Sequence, residues 1–431
     1  MSAEEKLRWY AALDDVPPPR MLAEDVLVTA RRKVRNRRIR LAATAGLATA
    51  LVLIGVAVAV PRLDASPVPT HPSPSVVPST PSPTAPPLHC RAEALPEPGG
   101  LTPAQRMARA IDPSGRYIVG TYASGPDTVG LLMWTDGDLR QPAAAKVFAA
   151  TAVNSRGVVI GKAPDRDGYK HAAVFRDGKV SLLPRPAGTM YSSALAINTH
   201  GDIVGTVSGN DLPKYGGSTE DLPILWPATG GYVLLQTGQD DLWPHTAAAI
   251  GDDGVILGTV LRSGGGFTIS LPYRWNADRT GALLPLPRPL TTKSAGVAAM
   301  AGQWAAGSAG DLPRAQAPSP APSLDVHFGT PQAHVRWNLA TGAFEELGIF
   351  SPYGVSATGA MIGADDPYAR TPAVWRGGTV TPLPLLDPGR SFMVYGGVSA
   401  DGTTAFGTMM PPVSTTSGDP KGPYDMVRWR C

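Results

Sequence analysis

An uncharged apolar segment lies near the N-terminus. Much of the chain after it consists of short segments in which apolar and polar residues alternate. Residues 41–60 contain no charge, and Thr44 and Thr49 are their only polar side chains. At about 1.5 Å per residue, a helix of this length spans the roughly 30 Å hydrocarbon core of a bilayer. Residues 31–40 carry seven positive charges directly before it. Since positive flanks stay in the cytoplasm, the pattern predicts a transmembrane helix at 41–60 with a partly helical cytoplasmic tail at 1–40.

A cleaved signal peptide is the alternative interpretation of this segment. Ala57, Val58 and Ala59 fit a small-residue cleavage site. The apolar run is longer than a usual signal-peptide core, and forty residues precede it. These features favour an uncleaved anchor, and cleavage stays an open alternative.

A proline-rich segment follows the apolar run. Residues 61–89 contain ten prolines in 29 positions, interleaved with Ser and Thr. Proline lacks an N–H and favours the extended polyproline II conformation, so this composition does not build a core. The segment is therefore interpreted as a linker, and the chain beyond it, residues 90–431, as an extracytoplasmic domain.

A two-strand pattern recurs seven times after residue 105. Each copy has an Ala-rich strand, a turn with Asn or Asp followed by Gly, and a second strand that ends in Gly. Asn and Asp bond to the local backbone in tight turns, and Gly accepts a positive φ there. The closing glycines are Gly120, Gly161, Gly205, Gly258, Gly307, Gly363 and Gly407. Three of the copies, at 297–308, 354–364 and 397–408, are degenerate.

An aromatic residue marks a third strand in every copy, and a Leu-Pro-rich strand follows several of them. Six of the nine tryptophans and one phenylalanine fill the aromatic position, which predicts core packing. The seven are Trp134, Phe175, Trp226, Trp275, Trp337, Trp375 and Trp429. Four short strands per unit at a period of this length indicate an all-β fold, a seven-bladed β-propeller.

The repeat core Ala-Ile-Asn-x-x-Gly-x-Val-Gly resembles the extracellular HAF-repeat family over most of 105–431. The resemblance is good in four units and weak in three, and the nearest match to the HAF tripeptide is His171-Ala172-Ala173. It implies a propeller outside the cell and no specific activity. The Ala/Pro/Arg-rich composition resembles that of high-GC actinobacterial proteins.

The two ends of the predicted propeller complement each other. Residues 426–431 end the chain without a Leu-Pro strand, and residues 91–98 look like the missing strand. Pairing them closes the ring in the manner called velcro closure and removes open sheet edges. Cys90 and Cys431, the only cysteines, stand at these two ends. We therefore predict a disulfide between them, which an oxidising compartment permits.

Charge and motifs exclude several function classes. Residues 1–40 sum to +4 and the remainder to −1, so a nucleic-acid-binding domain is not expected. Signatures of nucleotide, metalloprotease and serine-hydrolase sites are absent, and no cofactor, metal site or catalytic residue is predicted. The segment 165–168 loosely resembles a calcium loop, but a surface turn is the favoured interpretation.

Three insertions occupy the same position, between the second and the third strand of a unit. They are 208–222, 308–333 and 408–425. Equivalent positions open on one face of a propeller, where long loops often bind partners. The candidate binding residues in them are Lys214, Tyr215, His327, Phe328 and Tyr424.

The sequence thus favours a single-pass, monomeric membrane protein that presents a propeller for binding or scaffolding an envelope protein or glycan. Whether it is an enzyme stays open. One alternative is an envelope glycan hydrolase or lyase that uses carboxylates in the central channel. The other is a transmembrane signal transducer, similar to anti-sigma factors, with a cytoplasmic partner for residues 1–30.

Overall fold

The computed structural model describes most of the chain from residue 89 onward. The described residues are 89–101, 106–123, 129–209, 212, 221–264, 267–286, 293–311, 333–365, 371–390, 392–410 and 424–431. The tail, the apolar segment and most of the linker predicted at 1–88 lie outside them. No helix in the described part of the chain is both long and apolar enough to cross a bilayer.

In the described part of the chain, twenty-eight strands form seven antiparallel four-stranded sheets, which we call blades 1 to 7. Six blades take four consecutive strands each, and the seventh takes the last three strands and the first. The first strands of the blades are β2 (Arg106–Ile111), β6 (Ala149–Val153), β10 (Tyr191–Ile197), β14 (Trp243–Ile250), β18 (Lys293–Ala301), β22 (Ser351–Val355) and β26 (Phe392–Val398). The second strands are β3 (Tyr117–Ala123), β7 (Val159–Pro164), β11 (Ile203–Ser208), β15 (Ile256–Gly264), β19 (Trp304–Asp311), β23 (Met361–Ala364) and β27 (Thr404–Met410).

The third strands carry the aromatic residue of the repeat, and the fourth strands are short. The third strands are β4 (Val129–Thr135), β8 (Lys170–Arg176), β12 (Leu222–Trp226), β16 (Phe267–Trp275), β20 (Ala333–Asn338), β24 (Pro372–Arg376) and β28 (Asp425–Arg430). The fourth strands are β5 (Asp138–Arg140), β9 (Lys179–Leu182), β13 (Val233–Leu234), β17 (Gly281–Leu283), β21 (Phe344–Glu346), β25 (Thr379–Pro382) and, in blade 7, β1 (Arg91–Ala94). A 3-10 turn at Ala143–Ala145 precedes blade 2.

The blades form a closed ring. The first strands of neighbouring blades contact each other in order around the ring, and β26 of the last blade contacts β2 of the first. These first strands are therefore the innermost ones, and the predicted seven-bladed β-propeller is confirmed.

The aromatic strand of one blade is hydrogen-bonded to the Leu-Pro segment of the preceding blade. The six tryptophans are at most 3% exposed. Five of them donate the indole N–H to a backbone carbonyl just after the fourth strand of the preceding blade, at 2.6–2.8 Å. Four of these acceptors belong to prolines: Pro96, Pro184, Pro285 and Pro384. At four of the seven blade junctions, a proline of this segment therefore links a blade to the tryptophan of the next.

Ring closure follows the predicted scheme. Arg91 to Ala94 pair with Arg430 to Val427 in β28, so the N-terminal strand completes blade 7. Cys90 and Cys431 are joined by a disulfide, with an S–S distance of 2.09 Å. Trp134 of blade 1 donates its indole N–H to Pro96, just beyond β1. The first segment of the domain thus pairs with blade 7 through β1 and contacts blade 1 through Pro96.

Candidate functional site

The turns between first and second strands define one face of the ring, which we call the turn face. The connections between second and third strands open on the opposite face, which we call the loop face. All three predicted insertions begin and end on the loop face, because β11, β19 and β27 end there and β12, β20 and β28 begin there. Each face offers a different kind of site.

The turn face is organised by the Asn position of the repeat. Asn154 accepts the backbone N–H groups of Arg156 and Val158, which fixes its own turn. Its amide nitrogen donates at 3.0 Å to the carbonyl of Asn198, and Asn198 does the same to Gly251 at 3.2 Å. In blades 2 and 3 the repeat asparagine therefore ties its turn to the turn of the next blade.

Serine replaces this asparagine in two of the degenerate copies. Ser356 and Ser399 are fully buried at the equivalent turn position, and Asp112 of blade 1 is fully buried as well. In this sector the backbone makes the links: Ala357 donates its N–H to Ala400, and Ala400 donates to Pro113. The chain of turns therefore passes from blade 6 through blade 7 to blade 1.

The innermost strands, which line the central channel, carry no acidic side chain. None of the seven innermost strands, all of which are described, contains Asp or Glu. Arg109 from blade 1 lies over the ring of Tyr395 from blade 7 at 4.2 Å, and Tyr353 donates to the carbonyl of Met393. The channel carboxylates of the glycan-hydrolase hypothesis therefore gain no support from these strands.

A buried polar cluster joins blades 2 and 3 on the loop face. Asp165 Oδ2 lies 3.1 Å from His171 Nε2 and 3.2 Å from Arg185 Nη2. The other ring nitrogen, His171 Nδ1, lies 3.3 Å from Ser192 Oγ, which also accepts the N–H of Ala172. His171 and Ser192 are 1% and 3% exposed. The Ser and the His of this cluster are thus buried, and their contacts join the two blades.

Electrostatics supports this structural role. Burial lowers the pKa of His171, and the nearby Arg185 adds to this, while Asp165 acts in the opposite direction. For Asp165, burial raises the pKa, but the N–H groups of Asp167 and Tyr169, followed by His171 and Arg185, outweigh it and leave the pKa lowered. The neutral imidazole beside an ionised carboxylate is therefore the favoured state.

The predicted surface turn at 165–168 is present. Asp165 accepts the backbone N–H of Asp167 and of Tyr169 through Oδ1, as in a local turn. Within the described residues no group of three or more His, Cys, Asp or Glu side chains is placed to hold a metal ion.

The predicted binding residues fall mostly outside the described chain. Lys214, Tyr215, His327 and Phe328 are not among the described residues, so their role stays a prediction. Tyr424 directly precedes β28 and is 8% exposed, so little of its surface faces solvent. Beside it, burial raises the pKa of Asp425, which forms an ion pair with Arg390.

Two grooves open on the turn face between neighbouring blades. One has a volume of about 420 Å³ and lies between blades 2 and 3. The other has a volume of about 320 Å³ and lies between blades 7 and 1. Both contain a turn glycine of the following blade, Gly201 or Gly115, and the arginine that directly follows the aromatic anchor of the preceding blade, Arg176 or Arg430. The grooves are therefore equivalent positions of the repeat.

Comparison with known proteins gives similarity in fold. No family model matches the chain, and no curated protein matches it. Similar solved structures include the β-propeller domain of the Trilobed protease from Pyrococcus furiosus, with 13% identity, coverage of 65% of this chain and 84% of that chain, and a TM-score of 0.44. A prolyl endopeptidase structure has 12% identity, 75% and 50% coverage and a TM-score of 0.47. Trypanosoma rangeli sialidase has 11% identity, 68% and 56% coverage and a TM-score of 0.38. The chain spans about half the length of the last two, and no activity follows from similarity at this level.

Proposed function

We propose that the chain displays its propeller outside the cytoplasmic membrane, as a module that binds or scaffolds an envelope protein or glycan. The disulfide between Cys90 and Cys431 is the observation that carries the proposal. Disulfides persist in oxidising compartments and are rare in the cytosol. A closure that depends on two cysteines at opposite ends of the domain fits a protein that matures outside the cytoplasm.

The sequence before the propeller supports the membrane part of the proposal. The apolar residues 41–60, the basic residues 31–40 and the proline-rich residues 61–89 together fit an anchor, an orientation signal and a spacer. The resemblance of the repeat to extracellular HAF repeats, in a chain of actinobacterial composition, agrees with this placement.

The binding part of the proposal follows from the two faces of the ring. The loop face receives all three long insertions, and the turn face carries charged grooves. The innermost strands supply no carboxylate for acid–base chemistry. The long insertions and the grooves lie on the two faces of the ring and favour a binding role. An enzyme that used the central channel would need acidic groups, and the innermost strands supply none.

Cell fractionation tests the location. We expect the full-length chain in the membrane fraction, with its propeller degraded when intact cells whose outer layers have been permeabilised are treated with protease. We also expect its two cysteines to resist alkylation until a reductant is added. A full-length chain in the cytosol, with both cysteines alkylated without reductant, would contradict the proposal.

Co-sedimentation tests the binding role. The full-length chain, purified in detergent micelles, is mixed with isolated cell-wall material from the same cells, and in-cell crosslinking is run in parallel. Sedimentation with the wall, or a reproducible crosslink to one envelope protein, is the expected result. A chain that stays in the supernatant and crosslinks to nothing in the envelope would count against the role.

A further inference from the structure

Two guanidinium groups converge on one point beside the groove between blades 2 and 3: Arg176 lines the groove, and Arg156 belongs to the adjacent turn of blade 2. Arg156 Nη2 and Arg176 Nη2 each lie 3.6 Å from the position that a Cβ on Gly201 would take. The two nitrogens are therefore no further apart than twice this distance. Gly201 has a φ of +95°, a conformation that glycine adopts without strain, so the point stays open. A vacant space flanked by two cations is suited to an anion.

Among the described residues, no carboxylate forms an ion pair with Arg156 or Arg176. Lys179 lines the same groove. Two carboxylates are near: Asp177 lines the groove, and Asp202 accepts the N–H of Ala228 and the amide of Asn198. Three cations against two carboxylates leave the groove with an excess positive charge.

In the equivalent groove between blades 7 and 1, the arginines form ion pairs with carboxylates of the protein. There, Arg428 and Arg430 both bind Glu93, at 2.7 Å and 3.3 Å. Arg116 binds Asp136 at 3.1 Å. All three guanidinium groups in that groove are thus engaged by the protein's own carboxylates. In the groove between blades 2 and 3, Arg176 occupies the position of Arg430, while Ser181 stands where Glu93 stands, so this guanidinium lacks the carboxylate partner.

The rest of the groove accommodates a body attached to the anion. Its volume of about 420 Å³ is within the range of small-molecule sites. Apolar side chains of Val174, Leu183 and Ile203 line it, together with backbone of Gly230 and Gly231. Arginine recognises the oxygens of phosphate, sulfate or carboxylate through paired N–H donors, and the apolar wall suits the face of a sugar ring.

We infer that the groove between blades 2 and 3 binds an oxyanion-bearing sugar, with Arg156 and Arg176 holding the charged group over Gly201. The inference deepens the proposed function by naming the class of ligand. It depends on the proposed function only for the source of that sugar, an anionic glycan of the envelope.

Calorimetric titration of the full-length chain in detergent micelles at low salt tests the inference, with glucose 6-phosphate, glucuronate and glucose as probes. We expect the charged sugars to bind and glucose not to bind. Arg156→Gln and Arg176→Gln should each weaken binding about tenfold, the usual scale for one charge-assisted hydrogen bond. Rising salt should weaken binding in the wild type.

Arg376→Gln is the matched control, because Arg376 also follows the aromatic anchor directly, in blade 6, where Thr358 takes the position of Arg156. This variant should bind as the wild type does. Equal binding of glucose and glucose 6-phosphate, or equal weakening by Arg376→Gln and Arg176→Gln, would overturn the inference. If Arg176→Gln leaves both probe binding and wall co-sedimentation intact, the inference fails while the proposed function stands. If the probes bind but the chain proves cytosolic, the proposed function fails while the groove assignment stands.

Discussion

In blades 1 to 6 the closing glycine of the repeat is required by a bulge in the innermost strand, whereas in blade 7 the ring of Trp429 lies where a Cβ on Gly407 would stand. Each blade has a register shift in its first strand, for example between Ala194 and Ala196 opposite Gly205. The bulge turns a carbonyl toward the second strand, and a Cβ added at Gly205 would overlap the carbonyl oxygen of Ser193. The glycine at this position is therefore required because two backbones approach each other closely. Its φ is not positive, so backbone conformation does not require it.

Gly205→Ala should therefore lower the free energy of unfolding by about 2 kcal/mol or more, because the strands must separate to admit the methyl group. Thermal unfolding followed by circular dichroism measures the change. Gly296→Ala is the control, since its Cβ would meet only Thr259 Cγ2 at 3.6 Å. Equal unfolding temperatures for the two variants would contradict the explanation.

At the scale of the element, the N-terminal strand β1 is held to blade 7 by charge as well as by its ladder. Glu93 receives hydrogen bonds from Arg428 at 2.7 Å and 3.2 Å. The hydrogen bond from Arg428 lowers the pKa of Glu93 below its usual value of 4.5. Burial acts in the opposite direction, and the charges of Arg428, Arg430 and Arg91 lower the pKa further. The ionised form therefore stabilises the closed ring.

The sign of the pH dependence follows from this lowered pKa. The contribution of Glu93 is fully present above pH 4.5 and is lost as the pH falls through the lower value of the folded state. Between these values, wild-type stability should fall more steeply than that of Glu93→Gln. Urea unfolding at a series of pH values makes the comparison.

Asp136→Asn serves as the control for this experiment, because Asp136 and its partner Arg116 are more than half exposed. Exposed pairs contribute little, so this variant should follow the wild type at every pH. Parallel pH profiles for wild type and Glu93→Gln would show that β1 is held by its ladder alone.

The strands were predictable because their sequence pattern recurs in seven copies. The hairpin and the aromatic strand recur in a fixed order in every copy, and the Leu-Pro segment follows several of them. Cys90 and Cys431 stand at the two ends that the repeat leaves incomplete. The cluster of Asp165, His171 and Ser192 was not predictable, since its members come from two blades and occur in one copy of the repeat. The same holds for the arginines over Gly201, which only the packing of adjacent blades brings together.

At the scale of the whole molecule, the ring is closed by one covalent and several non-covalent links. The disulfide encloses a loop with a sequence separation of 341 residues. The chain-entropy estimate for a loop of this length is about 5 kcal/mol, and measured gains are usually smaller. The ladder between β1 and β28 and the bond from Trp134 to Pro96 remain when the disulfide is removed.

The double substitution Cys90→Ser and Cys431→Ser should therefore lower the unfolding temperature while leaving the folded secondary structure unchanged. Circular dichroism reports both quantities on the same sample. Wild-type protein treated with reductant should follow the double variant. An unfolding temperature equal to that of the oxidised wild type would show that the disulfide adds nothing to the closed ring.

The position of the disulfide also determines how the domain responds to mechanical load. Cys90 directly precedes β1, and it is bonded to Cys431, which directly follows β28. A pull transmitted along residues 84–89 reaches Cys431 through covalent bonds before it reaches the first hydrogen bond of β1. Tension at this point is therefore borne at once by the first and the last strand of the propeller, and the seventh blade does not separate at its edge while the sulfur atoms stay joined.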